Sequence, residues 1–346
     1  MKGLSKRKVL IDDRFDNSMT AGGKARLDVR TILSDYESYY CYSKHFSSSL
    51  LNYVFAFIRL LFWRVCAWRY KILIIQYPFY TNKHFNNLCF RLFPKRSYLI
   101  IHDLPSLRYG ENQAVIDYEI KRLNHFRGAI IHSEPMKEWL LANGAKIKLP
   151  VLQIFDYILP QTPLSKKEWQ NNSIPQIAFA GNLEKSRFVE KIWKRSRNII
   201  DFCFYGIGSG TELLKSESYK GTFPSDVLPF RLEGHFGLVW DGPDIETCAE
   251  NEGKYLRYNS PHKFSLYMAA GIPVIVWKGS ALAGFVQEHD LGVTVNSLTE
   301  LRTELFAISK ERYFEMLENC KEIQHQVVNG HFLKTALVNL LELEHE

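Results

Sequence analysis

Metal-site and redox signatures are missing from this chain. Its 6 cysteines (Cys41, Cys66, Cys89, Cys203, Cys248 and Cys320) are scattered and form no C-x-x-C pair. Neither zinc spacing nor a disulfide framework is supported, and reduced thiols in the cytosol are expected. No strand end carries H-x-x-x-H, H-E-x-x-H or D-x-D, so a metal-dependent mechanism has no sequence support. The hydrolase elbow G-x-S-x-G has no match, because GIGSG at 206–210 does not fit it. Basic runs stop at Lys6–Lys8 although the formal net charge is +7. That diffuse excess suits phosphates or an anionic surface, and nucleic acid is not expected as a partner. The leading MKGLSKRKVLIDD is too poor in apolar residues for a signal peptide. No internal repeat is visible.

What is present describes a globular protein. Over 346 residues, 46% are hydrophobic and 23% charged, enough for two cores. The 18 Tyr, 23 Phe and 7 Trp read mostly as core. The most apolar stretch is Leu50–Trp68, interrupted by Arg59 and Arg64 about half a turn apart. A helix packed on a sheet is the leading reading. A helix dipping into a membrane surface, favoured by Trp63, Trp68, Arg64 and Arg69, stays open, and a span is the weakest of the three.

Strands alternate with helices. Lys8–Asp12 is a strand, followed by a loop with Gly22 and Gly23, which let a backbone approach a ligand, and a helix over Ala25–Leu33. Further strands are expected at Ser38–Tyr42, Ile72–Gln76, Tyr98–His102 and Ala129–His132, with helices over Asn112–Arg127 and Glu134–Ala142. Prolines 150, 160, 163 and 175 mark the connection between halves, placed near 158–174, with Phe155–Tyr157 beside the cleft. The pattern then restarts with strands at Gln176–Ala180, Ile199–Phe204, Phe236–Trp240, Pro273–Trp277 and Gly292–Val295. Helices over Arg312–Val327 and His331–Leu343 end the chain. This predicts an α/β fold of two Rossmann-like domains, 1–158 and 159–330, with 331–346 as a terminal helix.

Phe236–Trp277 organises the chemistry. Two buried strands, FGLVW and IPVIVW, flank a polar loop and a helix in which Ser260 is expected to cap and Pro261 to occupy the first turn. His262 and Lys263 then stand where free N–H groups and the helix dipole favour an anion. In a parallel sheet, ligands lie beyond the carboxyl ends of the strands. GNLEKSR (Lys185, Arg187), YGIGSG (Tyr205, Gly206), Asp241 and the Tyr258–Lys263 turn are therefore read as one diphosphate-nucleotide site. The first half offers Asp12, Asp13, Asp16, His102 and Asp103 at strand ends. Asp103 is read as a base or as the group orienting His102.

Those residues resemble a known family. AGGKARLDV, HDLPSLR, IFDY, FAGNLEKS, FGLVWDG and YLRYNSPHKFSLYMAAGIPVIVW are similar to segments of the bacterial beta-1,6-galactofuranosyltransferases, relatives of the glucosyltransferases that extend glycans on serine-rich adhesins. The likeness runs from about residue 11 to 340. It implies a GT-B glycosyltransferase using a UDP-sugar, UDP-galactofuranose first, with no metal or other cofactor and with inversion. Tyr205, beside Gly206, would hold uracil. Arg187, Asn259, His262 and Lys263, with Tyr258 and Lys185, would hold ribose and diphosphate, and Asp241 would lie near the sugar. Asp103, Asp16, Asp13 and His102 would face the acceptor, a glycan or lipid-linked glycan, with Gly22, Gly23, Lys24 and Arg108 on that side. Departures at AENEG (249–253) and Ser260 leave galactofuranose, glucose and galactopyranose open as donor sugars. A cytoplasmic protein, peripheral on the inner membrane face, is expected; a homo-oligomer and a non-catalytic nucleotide-sugar-binding scaffold are left open.

Overall fold

Runs of branched apolar residues dictate strands buried on both faces, as in parallel sheets. The computed structural model describes residues 7–13, 21–81, 83–110, 112–163, 174–196, 199–208 and 211–342. Asp16 lies outside them.

The first half runs β1 (Arg7–Asp12), α1 (Ala21–Ile32), β2 (Glu37–Tyr40), α2 (Ser49–Cys66), β3 (Tyr70–Tyr77), α3 (Lys83–Leu92), β4 (Tyr98–Ile101), α4 (Pro105–Tyr109), α5 (Gln113–Leu123), β5 (Gly128–Ile130) and α6 (Glu134–Ala142). Among the described residues its strands form one parallel sheet in the order β2-β1-β3-β4-β5. Leu73, Ile74 and Ile75 of β3 are fully buried at its centre, each worth about 1.5–3 kcal/mol of apolar burial.

The second half runs β6 (Gln176–Ala180), α7 (Phe188–Ser196), β7 (Asp201–Tyr205), β8 (Tyr219–Gly221), α8 (Leu228–Arg231), β9 (Phe236–Val239), α9 (His262–Ala269), β10 (Val274–Trp277), α10 (Ala283–Glu288), β11 (Gly292–Val295), α11 (Leu301–Phe306), α12 (Lys310–Val328) and α13 (His331–Glu342). Its described strands order as β11-β10-β9-β6-β7-β8, again parallel. In each sheet the order reverses once, between β1 and β3 and between β6 and β9. A crevice opens at such a switch point beyond the strand ends.

The terminal helix crosses back to the first domain. Asp156 caps α13, its carboxylate accepting from Phe332 N at 3.1 Å and Leu333 N at 2.8 Å. Leu340 then packs on β5 so closely that a Cβ on Gly128 would lie 2.8 Å from its Cδ1.

Three expectations are corrected. The α1 helix begins at Ala21, so Gly22 and Gly23 sit in its first turn rather than in a loop. Ser260 does not cap α9: Pro261 occupies the cap position without a side-chain bond, and the Ser260 hydroxyl is buried without a partner. The α2 helix buries Asn52, Ala56, Leu60 and Trp63 against the first domain, with Tyr53 and Phe57 half-buried beside them; much of its other face is exposed.

Candidate functional site

A cavity of about 370 Å³ opens at the switch point of the second sheet, within the range of small-ligand sites. Its floor is the end of β6 (Ala180, Gly181), the end of β7 (Tyr205, Gly206) and Asp241 just beyond β9. The two backbones touch there. Gly206 has φ +128°, and a Cβ on it would lie 1.8 Å from the Gly181 carbonyl oxygen, so only glycine fits.

Lys263 stands in the first turn of α9. Its Nζ donates to Trp240 O at 3.0 Å and lies 4.6 Å from the Phe179 ring centroid. Burial pulls its pKa down, with Asp241 opposing. Lys185 lines the same wall. Asp241 accepts from Gly242 N at 2.9 Å through Oδ1. Arg108 comes from α4 of the other domain and lines the cavity as well, so a residue expected on the acceptor side reaches the donor side. Three cations, one carboxylate and a helix N-terminus thus surround one cavity.

His262 also lines it, but not as a cation. Burial pushes its pKa down to about 3, with Lys24 adding to the effect, and Nε2 has no partner. It can give or take a hydrogen bond as a neutral ring. Two further histidines share its surroundings. The His102 ring stacks on Phe155 with centroids 5.7 Å apart, and His132 meets the same ring edge-on at 4.9 Å. His262 lies 6.1 Å from Phe155 and 4.9 Å from Tyr157. Phe155 is therefore the hub of three imidazoles, as its expected place at the cleft required. Burial holds His102 well below the usual range and His132 at about 4. His102 Nε2 pairs with Gln76 Oε1 at 2.7 Å, which leaves Nδ1 buried without a partner.

One Asp103 oxygen stands outside its ion pair, with the Tyr255 hydroxyl beside the carboxylate. Arg108 Nη1 donates to its Oδ2, while Oδ1 is buried without a hydrogen bond. Asp13 differs: Arg26 Nη1 sits 3.1 Å from its Oδ1, and Tyr80 N donates to its Oδ2. Both oxygens are engaged, so Asp13 is held in the ion pair at the switch point. Arg26, fully buried, also binds Asp12 and the Pro78 carbonyl. This knot closes the switch point of the first sheet, and burial raises Asp12 to about 6 against the pull of Arg26.

Other expected residues stand elsewhere. Lys24 is 4% exposed, paired with Asp28, and donates to Ile158 O at 2.6 Å; it clamps α1 to the inter-domain segment rather than facing an acceptor. Gly23 is buried in the same turn. Arg187 is exposed and is not among the residues of the cavity wall. Tyr258 packs on the first domain's core, and its carbonyl accepts from Ser133 Oγ at 2.5 Å. Asn259 Oδ1 is buried without a partner, outside the cavity lining. The Tyr205 hydroxyl donates to Arg231 O at 3.1 Å and accepts from Glu233 N at 2.7 Å, so its ring is a fixed wall. Sequence reasoning missed Thr222, Phe223 and Ser225 of the lining; they follow the three-residue β8, which has no periodic signature. Among the described residues no group of three or more His, Cys, Asp or Glu has metal-holding geometry.

HepE from Anabaena, solved in complex with UDP and glucose, has the same fold: TM-score 0.61 at 11% identity, covering 98% of this chain and 100% of that one. A glycosyltransferase from Rickettsia africae aligns at TM-score 0.54 and 14% identity over 98% of both chains. Two parallel-sheet domains with a nucleotide-type crevice and a returning helix define a GT-B glycosyltransferase, and this chain is one. More narrowly, it belongs to the glucosyltransferase 3-like family. Residues 8–154 match the model of that family's N-terminal domain and 177–340 that of its C-terminal domain. Beta-1,6-galactofuranosyltransferase WbbI of Escherichia coli K12 is 28% identical over 328 residues, 93% of this chain and 94% of that protein. Glucosyltransferase 3 of Streptococcus gordonii is 28% identical over 277 residues, 78% of each.

Proposed function

We propose that this chain transfers a galactofuranosyl residue from UDP-galactofuranose to a glycan hydroxyl in surface polysaccharide assembly, with inversion and without a bound metal. The observation that carries the donor reading is the convergence of Lys263, Lys185 and Arg108 with the α9 N-terminus on the switch-point cavity. Departure of UDP places growing negative charge on the diphosphate, which such prearranged cations and N–H groups stabilise. Gly206 lets the end of β7 close on Gly181 at the cavity floor, and the Tyr205 ring walls the end where a base would lie. Asp241 stands at the sugar end. Asp103 is the base that takes the acceptor proton, through Oδ1. Arg108 pairs with Asp103 and lines the donor cavity, so a bound diphosphate competes for its guanidinium and ties donor arrival to release of the base. The six cysteines form no disulfide and five of them are buried, which suits a reducing, cytoplasmic compartment.

The galactofuranosyl choice rests on the length of the likeness to WbbI. A glucosyl donor is the second reading, favoured by the name of the streptococcal relative. The purified protein is incubated with UDP-galactofuranose, UDP-galactopyranose and UDP-glucose in turn, with glycan acceptors, and UDP release is followed. Turnover of pyranose donors alone overturns the galactofuranosyl reading. UDP binding without transfer to any acceptor or to water reduces the chain to a scaffold.

A further inference from the structure

The α2 helix has a second face that the fold does not use. At about 100° per residue, Arg59 and Arg64 stand about 140° apart. The shorter arc between them holds the packed stripe of Asn52, Ala56, Leu60 and Trp63. The longer arc, about 220° wide by the same spacing, carries only apolar residues. Several are well exposed: Leu50 72%, Ile58 57%, Phe62 73% and Val65 74%. Trp68, just past the helix, is 75% exposed. Ser49–Arg69 has the length and hydropathy of a membrane span, yet Asn52 binds the backbone of His45 and Phe46 at 2.8 Å and the inner stripe is committed to the sheet. Those contacts hold the helix against the first domain, and an apolar outer face bordered by cations remains.

At its C-terminal end this face meets a groove of about 490 Å³. Arg64, Arg91, Lys95 and Arg96 line it, with no carboxylate among the lining residues. Arg96 donates through Nη2 to Ala67 O at 2.6 Å, anchoring the groove to the helix. Self-pairing of this face would set its arginine borders against their own copies. An anionic surface neutralises them.

We propose that α2 lies in the plane of an anionic phospholipid bilayer, its outer face among the acyl chains and the Arg64–Arg96 groove on the headgroups. Apolar burial and attraction to anionic lipid act together in such a helix, and a tryptophan belongs at that boundary. The proposal stands independently of the donor sugar.

The test is co-sedimentation of the full chain with vesicles of phosphatidylcholine alone or mixed with phosphatidylglycerol, alongside light scattering without lipid. Binding is expected to the mixed vesicles and to fall with salt. Val65→Asp should weaken it at least about tenfold, since a charge then enters the lipid face. Arg91→Ser and Lys95→Ser should each weaken it about fivefold. All three sites are exposed, so UDP affinity should be unchanged, which also reports that the fold is intact. No binding by the unaltered chain, equal binding to both vesicle types, indifference to Val65→Asp, or a dimer that Val65→Asp dissociates would each overturn the proposal.

Discussion

Removing the Lys263 ammonium is the sharpest probe of the donor site. Lys263→Met keeps most of the aliphatic stem over Phe179 and deletes the charge. Two unit charges about 4 Å apart at an effective dielectric of about 20 attract by about 4 kcal/mol. Desolvation of lysine and phosphate takes back part of that, leaving the roughly 1.5–3 kcal/mol typical of a hydrogen bond to a charged group. The dissociation constant for UDP should therefore rise about 10- to 150-fold. Titration calorimetry reads this directly. A melting curve on the same samples shows whether losing the bond to Trp240 O has loosened the domain. Arg187→Ala is the matched control: its side chain is exposed and off the cavity wall, so UDP affinity should hold within about twofold, under 0.5 kcal/mol. Equal effects of the two changes, or unaltered affinity in Lys263→Met, refute the placement of the diphosphate.

The remaining predictions follow from buried contacts. Asp103→Asn should cut kcat by about 10²–10⁴, read in a UDP-release assay, without weakening UDP binding, which should tighten as Arg108 is released from its ion pair, whereas Asp13→Asn should chiefly lower the melting temperature because it breaks the Arg26 knot. Gly206→Ala should cost at least about 3 kcal/mol through strain and collision with Gly181, a melting shift of roughly 6–12 °C, while Gly22→Ala in the open first turn of α1 should be neutral or stabilising. His132, 2% exposed with its pKa depressed by burial to about 4, contributes stability that is complete above the unfolded value of about 6.5 and lost as pH falls toward 4. At pH 5 that loss is about 2 kcal/mol, so the melting advantage of the unaltered chain over His132→Gln should shrink from pH 7.5 to 5; a constant gap would refute the burial of a neutral ring.

Strand identity was legible because parallel strands buried on both faces leave continuous apolar runs such as ILIIQ and IPVIVW. The crevice followed from topology, since strand ends point at it whatever the side chains do. Side-chain direction did not follow. Arg187 and Tyr258 flank residues that line the cavity or its helix, yet one points to solvent and the other into the neighbouring domain, because one position along a turn rotates a side chain out of reach. The neutrality of His262 was likewise illegible: its charge is set by Phe155, Tyr157 and Lys24, which are far away in sequence. The second contact of Arg108 was illegible: it pairs with Asp103 as an acceptor-side residue would, and only the packing of the two domains brings α4 to the donor wall as well. The exposed face of α2 was half legible: helical spacing set Arg59 and Arg64 about half a turn apart and was read as leaving neither face clean, whereas the wider arc between them is wholly apolar and the sheet covers the narrower one.

The segment before α9 does more than join two strands. Tyr255 lies in the first domain's core, where its hydroxyl accepts from Leu104 N at 3.1 Å, one residue beyond Asp103, and Ser260 N donates to His132 Nδ1 at 3.3 Å. Two residues later the chain is at His262, on the donor cavity. The distance between the domains is thus written into the position of the diphosphate-facing turn. Withdrawing Tyr255 drags that turn and loosens the backbone beside the base in the same motion. Binding at the cavity and closure of the cleft are two readings of one equilibrium, and whatever strengthens either must strengthen the other by the same free energy.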